Sequence, residues 1–107
     1  MKEIFKPYYA VIFTSTQNEN IEGYEEMADK MNALAKQQPG YLGMESARAE
    51  VGITVSYWES LEAIKNWKQQ AEHIKAQQKG RNDWYNWYRA RICKVEREYE
   101  FNGKIKF

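Results

Sequence analysis

A chain of 107 residues can close one hydrophobic core but not two, so residues 1–107 read as a single domain. With 43% hydrophobic and 15% aromatic residues, 2 Pro, 6 Gly and a net charge of +1, it is neither a disordered segment nor a uniformly basic nucleic-acid binder. The longest apolar run, Tyr8 to Phe13, falls far below the roughly 20 residues that span a bilayer, so no membrane partner is expected.

The N-terminal MKEIFKPYY lacks the apolar core and cleavage site of a secretory leader, and the single cysteine, Cys93, has no internal disulfide partner. Both features fit a cytoplasmic protein. Charge is unevenly spread: residues 1–59 hold 5 Lys/Arg against 9 Asp/Glu, and residues 60–107 hold 11 against 6. No two basic residues are adjacent, so solvated helix and strand faces account for the asymmetry, and no nucleic-acid partner is expected.

The first element is a strand over Tyr8–Thr14, aromatic and β-branched. The turn-forming STQNEN follows and offers an N-cap. Ile21, Tyr24, Met27, Ala28, Met31, Leu34 and Ala35 then recur at helical spacing, with acidic residues early, where the helix dipole favours them. QQPG ends that helix at Pro39 and Gly40. Tyr41–Arg48 and Ile53–Trp58 read as a hairpin around a short Gly-containing connection, with Ile53, Val55 and Tyr57 sharing one face. Ser60 starts a second helix whose stripe runs through Leu61, Ile64 and Trp67, continues through Ala71 and Ile74, and stops at Gly80. Tyr88–Phe101 reads as the last strand, with its alternation slipping near Ile92–Cys93 as at a β-bulge.

Strand, helix, strand, strand, helix, strand is the order of two split βαβ units. The expected class is therefore α+β: a ferredoxin-like β-α-β-β-α-β chain with a four-stranded antiparallel sheet and both helices on one face. The other face would carry large apolar residues, and a second copy is the simplest cover, so a homodimer is expected.

Three segments carry a family resemblance. PGYLGMESAR, GITVSYWESLEAIKNW and AEHIKAQQKGRNDWYNWYRARICKVER together resemble the antibiotic-biosynthesis monooxygenase family over nearly the whole chain. The last is similar to a subgroup described only as monooxygenase-like. The resemblance implies a dimeric α/β barrel with a pocket between the sheet and helices of each protomer. It implies oxygenases of activated aromatic substrates or of haem, the quinone-forming members needing no metal or flavin. Haem-degrading members use an Asn on the first strand, a Trp on the second helix and a His further on. Trp67 matches the Trp, but YYAVIFT has no Asn, and His73 comes only six residues after Trp67.

Among individual residues, His73 is the only histidine, which excludes a multi-His metal site. It is a candidate catalytic general base, since its ordinary pKa lies near neutrality, or else a helix residue bonded locally. Tyr57, Trp58, Trp67, Trp84 and Tyr88 are candidate substrate contacts, because flat rings sandwich planar ligands; each could equally supply core or interface area. Arg91, with Arg89 on the same strand parity, could hold an anionic oxygen or make a surface ion pair. Cys93 reads as a buried inert thiol. No metal-ligand spacing, phosphate loop or dinucleotide fingerprint occurs, so no cofactor is expected. The expected function is a cofactor-independent monooxygenase acting on a small planar, quinol-type aromatic. The alternatives are a non-catalytic small-molecule binding module and a haem-degrading enzyme.

Overall fold

The computed structural model describes residues 4–77 and 84–103. Its elements are β1 (Tyr8–Gln17), α1 (Tyr24–Lys36), β2 (Tyr41–Arg48), β3 (Gly52–Trp58), α2 (Leu61–Gln77) and β4 (Tyr85–Val95). They form one four-stranded antiparallel sheet in the order β2-β3-β1-β4, the ferredoxin-like arrangement expected from the element order.

Local chemistry fixes the joints. Tyr41 N–H returns to the Gln38 carbonyl at 3.2 Å across Pro39–Gly40, and Gly40 takes φ 86°. Pro then Gly with positive φ is the pattern of a type II turn. The Gly40 carbonyl in turn accepts Glu59 N–H at 2.8 Å, tying the start of α2 to this turn. Ser60 Oγ accepts Ala63 N–H at 3.0 Å and caps α2. At α1 the expected side-chain cap is absent: Gly23, at φ 84°, holds the N-cap, and Asn20 Oδ1 instead accepts Glu22 N–H at 3.1 Å. Ile21 therefore falls outside the helix. Glu25 and Glu26 in the first turn and Lys36 in the last complement the dipole.

Cross-strand partners share a face. Val11, Ser56 and Met44 form one row under the helices; Phe13, Thr54 and Ser46 form the next; Ser15, Gly52 and Arg48 form a third. Trp58 is completely buried in a core with Ala35, Ala63 and Ile64, and Tyr9, Val11, Tyr41, Met44 and Trp67 pack around it. Glu45, Val55, Ile12 and Arg91 form a row on the opposite, open face.

β4 differs from expectation in two ways. Its register against β1 is continuous through Ile92 and Cys93, and the irregularity lies instead at Thr16/Gln17, opposite Tyr85–Trp87. The apparent slip arises because neither helix covers this edge strand beyond its first residue, Tyr85: Tyr88 and Ile92, on the helix side, are 58% and 56% exposed. Apolar residues there do not mark a covered face. The strand also stops at Val95, because its partner Tyr8 is the first residue of β1 and follows Pro7, which has no N–H for the ladder. The stop expected at Gly80 lies outside the described residues.

Candidate functional site

The helices do not seal fully onto the sheet. Between them lies a cavity of about 530 Å³, within the usual size of a small-molecule site. α1 contributes Tyr24, Met27 and Met31; α2 contributes Trp67 and Ala71; the sheet supplies the floor. Methionines adapt their shape to a ligand, so three of them (Met44 is the third) make a compliant apolar wall.

The inner end is held by the core. Trp67 stacks on Trp58 with centroids 6.1 Å apart and planes at 21°. Trp58 is itself fixed from its polar edge, Nε1–H donating 2.9 Å to the buried Ser56 Oγ. One face of Trp67 is thus pre-positioned against protein while the residue lines the cavity.

The other end is a knot of rings. Phe13 meets Tyr85 edge-on at 5.3 Å and stacks with Tyr88 at 5.2 Å. Tyr24 is edge-on to both Trp84 and Tyr85 at 5.9 Å. Trp84 Nε1–H donates 2.8 Å to the Glu22 carbonyl, which seats its ring beside the start of α1. Asn18 pins the entry to β4 twice, donating its N–H to the Trp84 carbonyl at 2.8 Å and its Nδ2–H to the Tyr85 carbonyl at 3.3 Å. Burial, chiefly, and a hydrogen bond with Tyr24 push the Tyr85 phenol well above its ordinary pKa, against a smaller opposing pull from Arg48. Tyr85 therefore stays protonated at neutral pH. Arg48 Nη2 donates 2.6 Å to Ser15 Oγ at this same end.

The sequence-derived candidates divide among three places. Trp67 and Trp84 line the cavity, Trp58 supports Trp67 from behind, and Tyr88 stacks at the outer ring cluster. Tyr57 and Arg91 lie on the open sheet face, partnered across the sheet with Ala10 and Ile12. There Tyr57 Oη donates to Glu45 at 3.4 Å and meets the Tyr8 ring at 5.9 Å. His73 is on the exposed side of α2 and does not border the cavity. Among the described residues no three His, Cys, Asp or Glu side chains gather as a metal site, and no helix is long and apolar enough to cross a membrane.

Sequence alone does not mark Arg48 or Tyr24 as cavity residues. Tyr24 reads there as one more apolar-stripe residue. Arg48 reads as the end of a strand, although its parity with Met44 and Ser46 puts it on their face.

Comparison with known proteins agrees with this architecture. The family model for antibiotic biosynthesis monooxygenase matches residues 7–79. The uncharacterized protein YqjZ of Bacillus subtilis (strain 168) is 52% identical over 97 residues, covering 89% of this chain and 85% of its own. SnoaB, a cofactor-independent oxygenase from Streptomyces nogalater, superposes with a TM-score of 0.67 at 12% identity, over 88% of this chain and 97% of its own. MhuD, a heme-degrader from Mycobacterium tuberculosis solved with two hemes in its active site, gives 0.64 at 22% identity, over 86% and 99%. At those identities the two structures speak to the fold alone. The family-model match spans more than half of the sequence, and the chain belongs to the antibiotic biosynthesis monooxygenase family.

Proposed function

We propose that the chain is a cofactor-independent monooxygenase of a small planar, quinol-type aromatic, working as a homodimer. The observation that carries this proposal is the cavity: about 530 Å³, walled by rings and methionines, with Trp67 held flat by Trp58. Such walls bind a flat ring and exclude water from it. The ionised quinol supplies the electrons itself. One oxygen atom of O2 enters a ring carbon, the other leaves as water, and naphthoquinol becomes hydroxynaphthoquinone.

Trp67 and Trp84 are the ring contacts, with Trp58 and Tyr88 supporting them. His73, on the far side of α2, enters no step. Haem fits the described lining poorly. That lining carries no imidazole or thiol to serve as an axial ligand.

The open face supports the homodimer. Glu45, at one sheet edge, and Arg91, at the other, share a cross-strand row. A twofold axis parallel to the strands sets Glu45 of one copy over Arg91 of the other. The radius of gyration, 16.3 Å, exceeds the about 13 Å of a compact chain of this length, and Tyr99 and Phe101 stand 85% and 90% exposed beyond β4. A second copy would cover both. Sedimentation at twice the 12.8 kDa chain mass is expected, and Arg91→Glu should weaken association. A single-chain mass at micromolar concentration would refute the dimer.

Oxygen uptake with naphthoquinol tests the activity, with product identified by mass. Hydroxynaphthoquinone formed with one oxygen consumed per quinol is expected. Saturable binding without uptake above the uncatalysed rate would instead identify a binding module.

A further inference from the structure

Among the described residues lining the cavity, Arg48 is the only charged one. It ends β2, and the register sets it beside Gly52 of β3, which pairs with Ser15 of β1. Because Gly52 has no side chain, the guanidinium can lie across that strand and donate 2.6 Å to Ser15 Oγ, which is fully buried. A Cβ at Gly52 would stand 2.1 Å from both the guanidinium carbon and Nη2. Gly52 therefore keeps open the lane that brings Arg48 over the sheet.

One hydroxyl occupies one of the five N–H donors of a guanidinium. The described lining contains no Asp or Glu to neutralise the rest. Arg48 is exposed to solvent, so an entering anion meets an accessible guanidinium, which matches paired oxygens best. Tyr24 and Tyr85 border the same end, their rings edge-on at 5.9 Å, and burial keeps the Tyr85 phenol protonated. The opposite end, at Val11, Met44 and Trp67, is mainly apolar, the Ser56 hydroxyl there already accepting from the Trp58 indole. Val11 and Ser15 are four strand residues apart, about 13 Å, close to the long dimension of two or three fused rings.

We propose that the ligand of this cavity is an aromatic anion: a planar fused-ring molecule whose apolar end lies at Trp67 and whose carboxylate or ionised hydroxyl is held by Arg48. This rests on the aromatic-ligand part of the function above and not on turnover.

Calorimetry with three probes tests it: naphthoate as the carboxylate, dinitronaphtholate as the ionised hydroxyl, and naphthamide as the neutral isostere. At least one anion is expected to bind the wild-type protein about ten- to a hundredfold more tightly than naphthamide. The anion that shows the preference identifies the group. Arg48→Gln should abolish the preference while leaving naphthamide binding in place, which also reports an intact cavity. Gly52→Ala keeps the charge but displaces the guanidinium, and should reduce the preference as well; if Arg48→Gln fails to fold, this variant decides. Equal affinity for anions and amide, a preference that survives both substitutions, or no binding of any probe would overturn the proposal. Arg48-dependent binding of naphthoate without oxygen uptake from naphthoquinol would refute the oxygenase alone.

Discussion

Gly40→Ala tests how the second helix, and with it Trp67, is held against the sheet. Gly40 sits at φ 86°, where a side chain costs about 1–2 kcal/mol. The new Cβ would also stand 2.6 Å from the Ala63 Cβ on α2. Neither atom can rotate away, so the turn and the helix must separate, at the about 1–3 kcal/mol typical of overpacking. The bond from Glu59 N–H to the Gly40 carbonyl would be strained by the same movement. The summed loss is about 2–5 kcal/mol, a large part of the about 5–15 kcal/mol that keeps a domain folded. Urea denaturation followed by circular dichroism reads it directly. Adding Ala63→Gly removes the collision but not the backbone penalty, so a double-mutant cycle should return a coupling of about 1–3 kcal/mol. A loss below about 1 kcal/mol for Gly40→Ala, or no coupling to Ala63, would refute the reasoning.

Ser56→Ala should destabilise by about 1–3 kcal/mol, since it strands the indole N–H of the fully buried Trp58; combining it with Trp58→Phe should cost less than the sum in the same urea assay. Trp67→Ala is expected to raise KM for naphthoquinol about tenfold by removing the supported ring, whereas His73→Ala should leave kcat and KM unchanged; oxygen-electrode kinetics compare them. The Tyr8 phenol, donating to the Glu98 carboxylate, is pushed up to about 12 by that bond, with smaller contributions from burial and nearby acids. An unfolded tyrosine ionises near about pH 10, so between about pH 10 and 12 the folded chain holds the extra proton, and its stability should fall as pH rises. Tyr8→Phe should flatten that decline in urea midpoints, and an unchanged slope would exclude Tyr8 as its source.

The fold was legible because each element announces itself locally. The stripe from Tyr24 to Ala35, the Pro39–Gly40 stop and the hairpin around Gly52 all depend on near neighbours in sequence. β4 was less legible, since its alternation reflects what covers each face, and the helices leave its edge bare. The site was half legible. Trp67 and Trp84 stand out by residue type, and both line the cavity. Tyr57 and Arg91 stand out equally but lie on the other face, because parity within one strand does not say which face the helices take. Arg48 was invisible for a different reason: its position depends on Gly52 and Ser15 in two other strands, a coincidence of register rather than of spacing.

The central claim is that ligands bind between the helices and the sheet. The four indole N–H groups make it directly observable, because Trp67 and Trp84 line the cavity, Trp58 lies behind it, and Trp87 sits on the open face opposite Thr16. Titrating nitrogen-15-labelled protein with naphthoate should move the Trp67 and Trp84 indole signals in nuclear magnetic resonance spectra and leave Trp87 in place. Movement of Trp87 with Trp67 and Trp84 unchanged would contradict the account.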